Sequence, residues 1–286
     1  MSEYADGGLI EPQEKDRGLF QAIPSTWAKI RPIKPNPARL SPASKRIIEA
    51  LEKEETTMIV EPSVKLLAHT TIDTDAISEL MEIQPASTDA ETLVTFAGRS
   101  CYESWHRPSE ATHDDADYIN RTIFEQQHGS ILEHATATLY FTGVSRAFLA
   151  ELTRHRHLSF SVRSQRFVDE SGANIVLPPI YRYAQPETAL HRAAELLEGI
   201  AQDLDSHYEG LVLEATEDGH KRKQAREAAR AILPSMTETK MTVTGNFRAW
   251  LEVIDRRTAP DADAELQEVM GMARDVLRPL APSIFK

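Results

Sequence analysis

Three stretches of the chain alternate between apolar and polar positions, and most of the remainder steps by three or four. "EPSVKLLAHT" (61–70), "ATATLYFTGVS" (135–145) and "TETKMTVTGN" (237–246) carry the period of two expected of strands, the last two enriched in Thr, Tyr and Phe. Helical spacing appears in "DAETLVTFAGRSCYES" (89–104), where Leu93, Phe96 and Ala97 are expected on one face, and continues in "DADYINRTIFEQQ" (115–127) until the break at His128–Gly129. "RAFLAELTRHR" (146–156) predicts a helix running to Arg156. A long helical region spans about Glu187 to His220, and "KRKQAREAARAIL" (221–233) is a basic helix ended by Pro234. "FRAWLEVIDRRT" and "DADAELQEVMGMARDVLRPL" supply two more helices. This mixed order of elements predicts an α+β fold with a central mixed or antiparallel sheet flanked by helices.

The first sixty residues differ. Pro24, Pro32, Pro35, Pro37 and Pro42 interrupt any long helix before the short amphipathic run "RIIEALEKEE". Residues 1–60 therefore read as a Pro-rich extension and 61–286 as the folded domain. No stretch of eighteen apolar residues appears, and the N-terminus has neither the basic start nor the apolar centre of a secretory signal, so the expectation is a cytoplasmic protein without a membrane span. A single cysteine, Cys101, excludes intrachain disulfides and a multi-cysteine metal site, and is expected to be a buried structural thiol. His128 and His134 stand six apart with no third ligand evident, so no metal is expected; His128 is read as bordering a ligand pocket and His134 as structural.

Charge changes the picture in one place. The formal net charge is -12, with 44 acidic against 32 basic residues, which argues against wholesale nucleic-acid binding. Yet "RHRHLSFSVRSQRF" (154–167) holds four arginines and no acid. On a continuing helix, Arg154 and Arg156 would project about 200° apart and serve different partners. Beyond them, Ser159, Ser161 and Arg163 alternate with Leu158, Phe160 and Val162. Hydroxyls and guanidinium forks near a helix end suit a phosphate, although a charge run is also the ordinary composition of a solvated face. Arg222, Arg226 and Arg230 recur every four residues as a second basic ridge.

"RHR" followed by Ser164 and Arg166 is similar to the signature of the flavin-dependent thymidylate synthases. "HGSILEHATATLYFTGVSR", "KRKQAREAARAILP", "ETKMTVTGNFRAW" and Arg257 follow the family's order over about residues 61–286. The resemblance implies an α+β homotetramer that binds FAD and converts deoxyuridine monophosphate (dUMP) to thymidine monophosphate, with NADPH and methylenetetrahydrofolate as cosubstrates. It assigns flavin contacts to Ser130, Arg154, His155, Arg156, Asn246, Phe247, Arg248 and Glu252. Substrate contacts fall on Glu151, Leu152, Thr153, Arg154, Val162, Arg163, Ser164, Gln165, Arg166 and Arg230, and the catalytic role on Arg257. A fixed guanidinium is suited to that role, because uracil C5 becomes nucleophilic when negative charge at N3 and O2 is stabilised.

Three positions depart from the family pattern. Val162 replaces a usual Glu or Gln, Glu252 a common His or Asn, and Asp261 a common His. Two of these set a carboxylate where an anionic cofactor is expected, which weakens binding unless basic neighbours compensate. The residues therefore leave a second reading open, a nucleotide- or nucleic-acid-binding protein that stacks bases on Phe160, Phe167 and Trp250 beside the arginines. A cysteine-dependent methyltransferase using Cys101 is the third.

Overall fold

A computed structural model describes residues 59–106, 109 and 112–286. The Pro-rich extension and "RIIEALEKEE" lie outside the described residues, apart from Ile59 and Val60. Four strands, β1 (Ser63–His69), β2 (Thr136–Ser145), β3 (Ser159–Val162) and β4 (Glu238–Asn246), form one antiparallel sheet in the order β1-β2-β4-β3. The central pair has the predicted alternation: Leu139 faces Val243 and Phe141 faces Met241, all four buried, while Thr138 and Thr244 on the other face share a hydroxyl contact of 2.9 Å. A register shift in β2 falls between Phe141 and Val144. There Gly143 has a φ of +64°, and a Cβ would stand 1.9 Å from the Glu61 carbonyl oxygen, so only glycine fits the bulge.

Besides short helical turns at Thr74–Ser78 and Pro179–Arg182, the described residues form the helices α1 (Asp89–Ser100), α2 (Asp115–Ile119), α3 (Arg146–Leu152), α4 (Ala189–Glu217), α5 (Arg222–Ala229), α6 (Phe247–Arg257) and α7 (Ala264–Leu277). The buried residues of α3, α6 and α7 join the inner side of the sheet in one core. Trp250 of α6 is at its centre, fully buried, with Nε1–H donating to the Ala137 carbonyl at 3.1 Å. Phe247 packs edge-on against Phe285 at 5.1 Å between ring centroids. Helix α4 contributes Ala194 and Ala201 to a smaller cluster of its own, buried with Ile175 and Leu177 of the preceding segment.

Two expectations about helices are corrected. The buried positions of α1 are Ala90, Glu91, Thr92, Val94, Thr95, Gly98 and Arg99, while Leu93, Phe96 and Ala97 are only partly covered. The two charged groups succeed there because they find partners: Glu91 accepts from Ser283 N at 2.7 Å, and Arg99 donates to the Ser104 and Thr112 carbonyls. The helix expected through Arg156 stops at Leu152, where the Thr153 hydroxyl donates back to the Leu149 carbonyl at 2.9 Å. The chain then turns, with Leu158 buried in the core, so Arg154 and Arg156 are set by a turn and not by the helical step. Helix α2 continues through Asn120–Glu125 as a π-helical turn, and Gly129–Glu133 forms a 3₁₀ turn before β2.

Candidate active site

The candidate residues fall into three groups. The first is built where the end of α3 meets the end of α6. Arg257, in the last turn of α6, is 15% exposed and touched at all three nitrogens. Its Nε–H donates to His155 Nε2 at 2.8 Å, Nη2 donates to the Glu151 carbonyl at 3.3 Å, and Nη1 lies 3.3 Å from Glu151 Oε2. The same Glu151 oxygen accepts from Arg154 at 2.8 Å. A guanidinium has five N–H donors, so at least two on Arg257 remain for a ligand. Arg154, His155, Arg156, His157, Glu252 and Arg256 line a cleft of about 220 Å³ here, together with Ala249 and Val253. Burial, and after it the Arg257 and Arg256 guanidiniums, lower the pKa of His155 below the ordinary imidazole value, so its ring is neutral at pH 7.

The second group is the turn after β3. Ser164 accepts backbone N–H groups from Phe167 and Val168 through its carbonyl. Gln165 is buried and Ser164 and Arg166 are half-buried. Helix α5 docks onto this turn through charge: Arg226 pairs with Asp169 and donates to the Phe167 carbonyl, and Lys223 sits 4.6 Å from the centre of the Phe167 ring. Arg166 Nε lies 2.7 Å from Glu227 Oε2 without a well-aligned hydrogen bond. Arg163 Nη2 is 3.3 Å from the buried Glu170. The expected basic ridge is therefore interrupted, because Arg226 is spent on Asp169; Arg230 opens the following 3₁₀ turn.

The third group surrounds the turn before β2. Ser130 and His128 line a cavity of about 570 Å³ with Cys101, Tyr118, Arg121 and Gln126. Arg248 reaches this turn, donating to Glu133 at 2.5 Å, and a Cβ on Gly129 would lie 3.7 Å from its Nε. Asn246 caps α6, its side-chain oxygen accepting from Ala249 N at 2.8 Å.

Several expectations change at the level of side chains. Phe247 and Leu152 are fully buried, so their side chains are part of the core and cannot face a ligand. Thr153 is a helix cap. Val162 packs on the core from the edge strand β3, where a polar side chain would have met apolar neighbours. Glu252 is compensated within its own helix, accepting from Arg256 at 2.8 Å, while Asp261 is exposed. Cys101 is exposed and not buried, and His134, expected to be structural, is exposed as well. The stacking surface of the binding-protein reading is lost: Trp250 is fully buried and Phe160 packs on the core, which leaves Phe167 alone exposed. Among the described residues no cluster of His, Cys, Asp and Glu could hold a metal, and no helix is long and apolar enough to cross a membrane.

Sequence reasoning missed Glu133, Glu227 and Arg256. The i, i+4 spacing of Glu252 and Arg256 is a readable signal for the last. Glu133 and Glu227 carry none, since their partners come from other elements.

Fold and site define an α+β protein whose arginines line a cleft where two helices end. The chain belongs to the thymidylate synthase complementing protein family, which matches residues 83–283. It is 43% identical over 234 residues to the probable flavin-dependent thymidylate synthase of Mycobacterium phage L5, covering 78% of this chain and 95% of that one. The flavin-dependent thymidylate synthase of Mycobacteroides abscessus is 44% identical over 203 residues, covering 70% of this chain and 81% of the relative. Among solved structures, thymidylate synthase X from Helicobacter pylori with FAD and dUMP superposes with a TM-score of 0.55 at 22% identity, over 79% of this chain and 98% of that one. That likeness supports the antiparallel sheet with flanking helices.

Proposed function

We propose that this protein is a flavin-dependent thymidylate synthase, methylating dUMP at C5 with FAD as cofactor and with NADPH and methylenetetrahydrofolate as cosubstrates. Residues 61–286 form the catalytic domain, residues 1–60 are an extension, and a cytoplasmic location goes with this reading. The observation that carries it is the half-buried Arg257, held at three points with donors to spare, beside a turn of exposed arginines. Such a guanidinium stabilises negative charge at N3 and O2 of the pyrimidine, and being charged at any working pH it needs no proton transfer to do so. Ser164, Gln165, Arg166 and Arg230 would meet the nucleotide, Arg166 exchanging the poorly aligned Glu227 for the phosphate.

The donor set suits FAD. Arg154 is 68% exposed, and Arg156 and the Ser130 hydroxyl are open to a pyrophosphate and its ribitol, while Arg256 offsets the Glu252 carboxylate. When bound, FAD supplies the hydride chemistry; the chain's residues bind, orient and stabilise charge. A cleft of about 220 Å³ is smaller than the 300–1,000 Å³ usual for small-molecule sites. A homotetramer whose neighbouring copies contribute to the flavin site is part of the same reading. The test is reconstitution with FAD followed by assay of thymidine monophosphate formation from dUMP with both cosubstrates. Flavin-loaded protein forming product is the expected result; protein that takes up no FAD at excess would overturn the reading.

A further inference from the structure

The turn Arg154–His157 has one residue that points inward. Arg154, Arg156 and His157 are exposed, whereas His155 is half-buried and its Nε2 accepts the shortest of the contacts that hold Arg257, 2.8 Å against 3.3 Å for the two to Glu151. Those other two are weaker supports. Glu151 is 39% exposed and its Oε2 is shared with Arg154, which lies closer to it. A long Arg side chain left on such contacts would keep much of its rotamer freedom.

We infer that His155 is a positioning residue for the substrate-facing guanidinium, its Nε2 fixing Arg257 through the hydrogen bond from Nε–H. The inference rests on the functional reading above only for what Arg257 does, not for the pairing itself. Because Nε2 accepts, the imidazole proton must sit on Nδ1, and a ring protonated at both nitrogens would set one N–H against another. The charged groups facing the ring come from two sides. Arg256, Arg257 and Glu252 project from α6, and Arg154 comes from its own turn. Arg156 and His157 line the same cleft, and Glu151 holds Arg257 from α3. Burial and the guanidiniums both disfavour the second proton, and Glu252 opposes them. The neutral, accepting form therefore persists down to a pH below the ordinary imidazole value of 6.5, and is lost as pH falls through the lowered one.

The resemblance gave His155 to the flavin, so the experiment separates the two roles. Imidazole NMR on the full chain, in wild type and Arg257→Ala, reads the pairing without any ligand. An Nδ1–H tautomer that titrates below 6.5, and that titrates at higher pH once Arg257 is removed, is expected; an Nε2–H tautomer, or a titration indifferent to Arg257, would overturn the proposal. With FAD loaded, His155→Ala should lower the rate of tritium release from 5-tritiated dUMP by about 10- to 100-fold, the scale of a misplaced catalytic group. The dissociation constant of dUMP should move less than about threefold, and His155→Gln, whose amide oxygen can accept from Arg257, should recover part of the rate. A wild-type rate in His155→Ala at equal flavin occupancy would refute positioning. If wild type itself releases no tritium, the enzyme reading fails, and the imidazole titration alone decides whether His155 holds Arg257.

Discussion

Replacing Glu265 by Ala removes the carboxylate that closes the start of α3, the helix whose far end carries Glu151. Glu265 is buried; its Oε1 accepts from Ser145 N at 2.7 Å and its Oε2 from the Ser145 hydroxyl at 2.6 Å. Ser145 Oγ in turn accepts from Phe148 N at 2.9 Å, the N-cap bond of α3. Hydrogen bonds to a charged group contribute about 1.5–3 kcal/mol each, and regaining the cost of burying the carboxylate offsets part of the loss, so the expected net destabilisation is about 2 kcal/mol. In a domain of this size that lowers Tm by about 4–8 °C. Burial is the largest influence on Glu265 and raises its pKa, although the Ser145 bonds pull the other way. The folded state thus holds a proton that the unfolded chain has lost, and the sign is fixed: wild-type stability falls as pH rises from the ordinary 4.5 through the raised value. Glu265→Gln keeps an acceptor for Ser145 N, so it should lose less than Ala and show no such slope. Thermal denaturation followed by circular dichroism at several pH values measures both effects. An Ala variant melting with wild type, or a stability that climbs with pH across that window only when Glu265 is present, would refute the reasoning.

Three further perturbations bear on the site. Glu227→Gln frees Arg166 from a half-exposed ion pair worth about 0.2–1 kcal/mol, so dUMP should bind about 1.5- to 5-fold more tightly by calorimetry; weaker binding would mean that Glu227 aims Arg166 instead of competing for it. Gly245→Ala places a Cβ 2.4 Å from Leu158 Cδ2 and 3.2 Å from Trp250 Nε1, an overpacking expected to cost about 1–3 kcal/mol in a chemical melt and to displace the turn that carries His155. Cys101→Ala should leave turnover unchanged, because the thiol is exposed and donates only to the Ala97 carbonyl of its own helix; loss of activity would favour a cysteine-dependent reaction.

The strands β1, β2 and β4 were legible because one side of each packs inward, which writes a period of two into the sequence. Helices α4 to α7 were legible for the corresponding reason. The buried face of α1 was not, since Glu91 and Arg99 occupy it and their partners lie far along the chain or in an irregular turn. The stop of α3 at Leu152 depends on a single hydroxyl and on the room Leu158 finds in the core, neither of which a helical pattern records. At the site, the signature arginines stood out by charge in an acidic chain, whereas Arg257 was picked out by the resemblance to the family and not by its charge. What charge cannot convey is which carboxylate each arginine meets, and that is where the tertiary structure adds most: Arg257 with Glu151 and His155, Arg166 with Glu227, Arg226 with Asp169, Arg248 with Glu133.

The central claim is that Arg257 activates the pyrimidine ring of dUMP. Tritium release from 5-tritiated dUMP, with FAD, NADPH and methylenetetrahydrofolate supplied, tests it directly for wild type beside Arg257→Ala. The account predicts release by wild type and a rate lowered by about 10²-fold or more in the variant, as for other losses of a group aimed at developing charge. Equal release from both proteins, or none from flavin-loaded wild type, would contradict it.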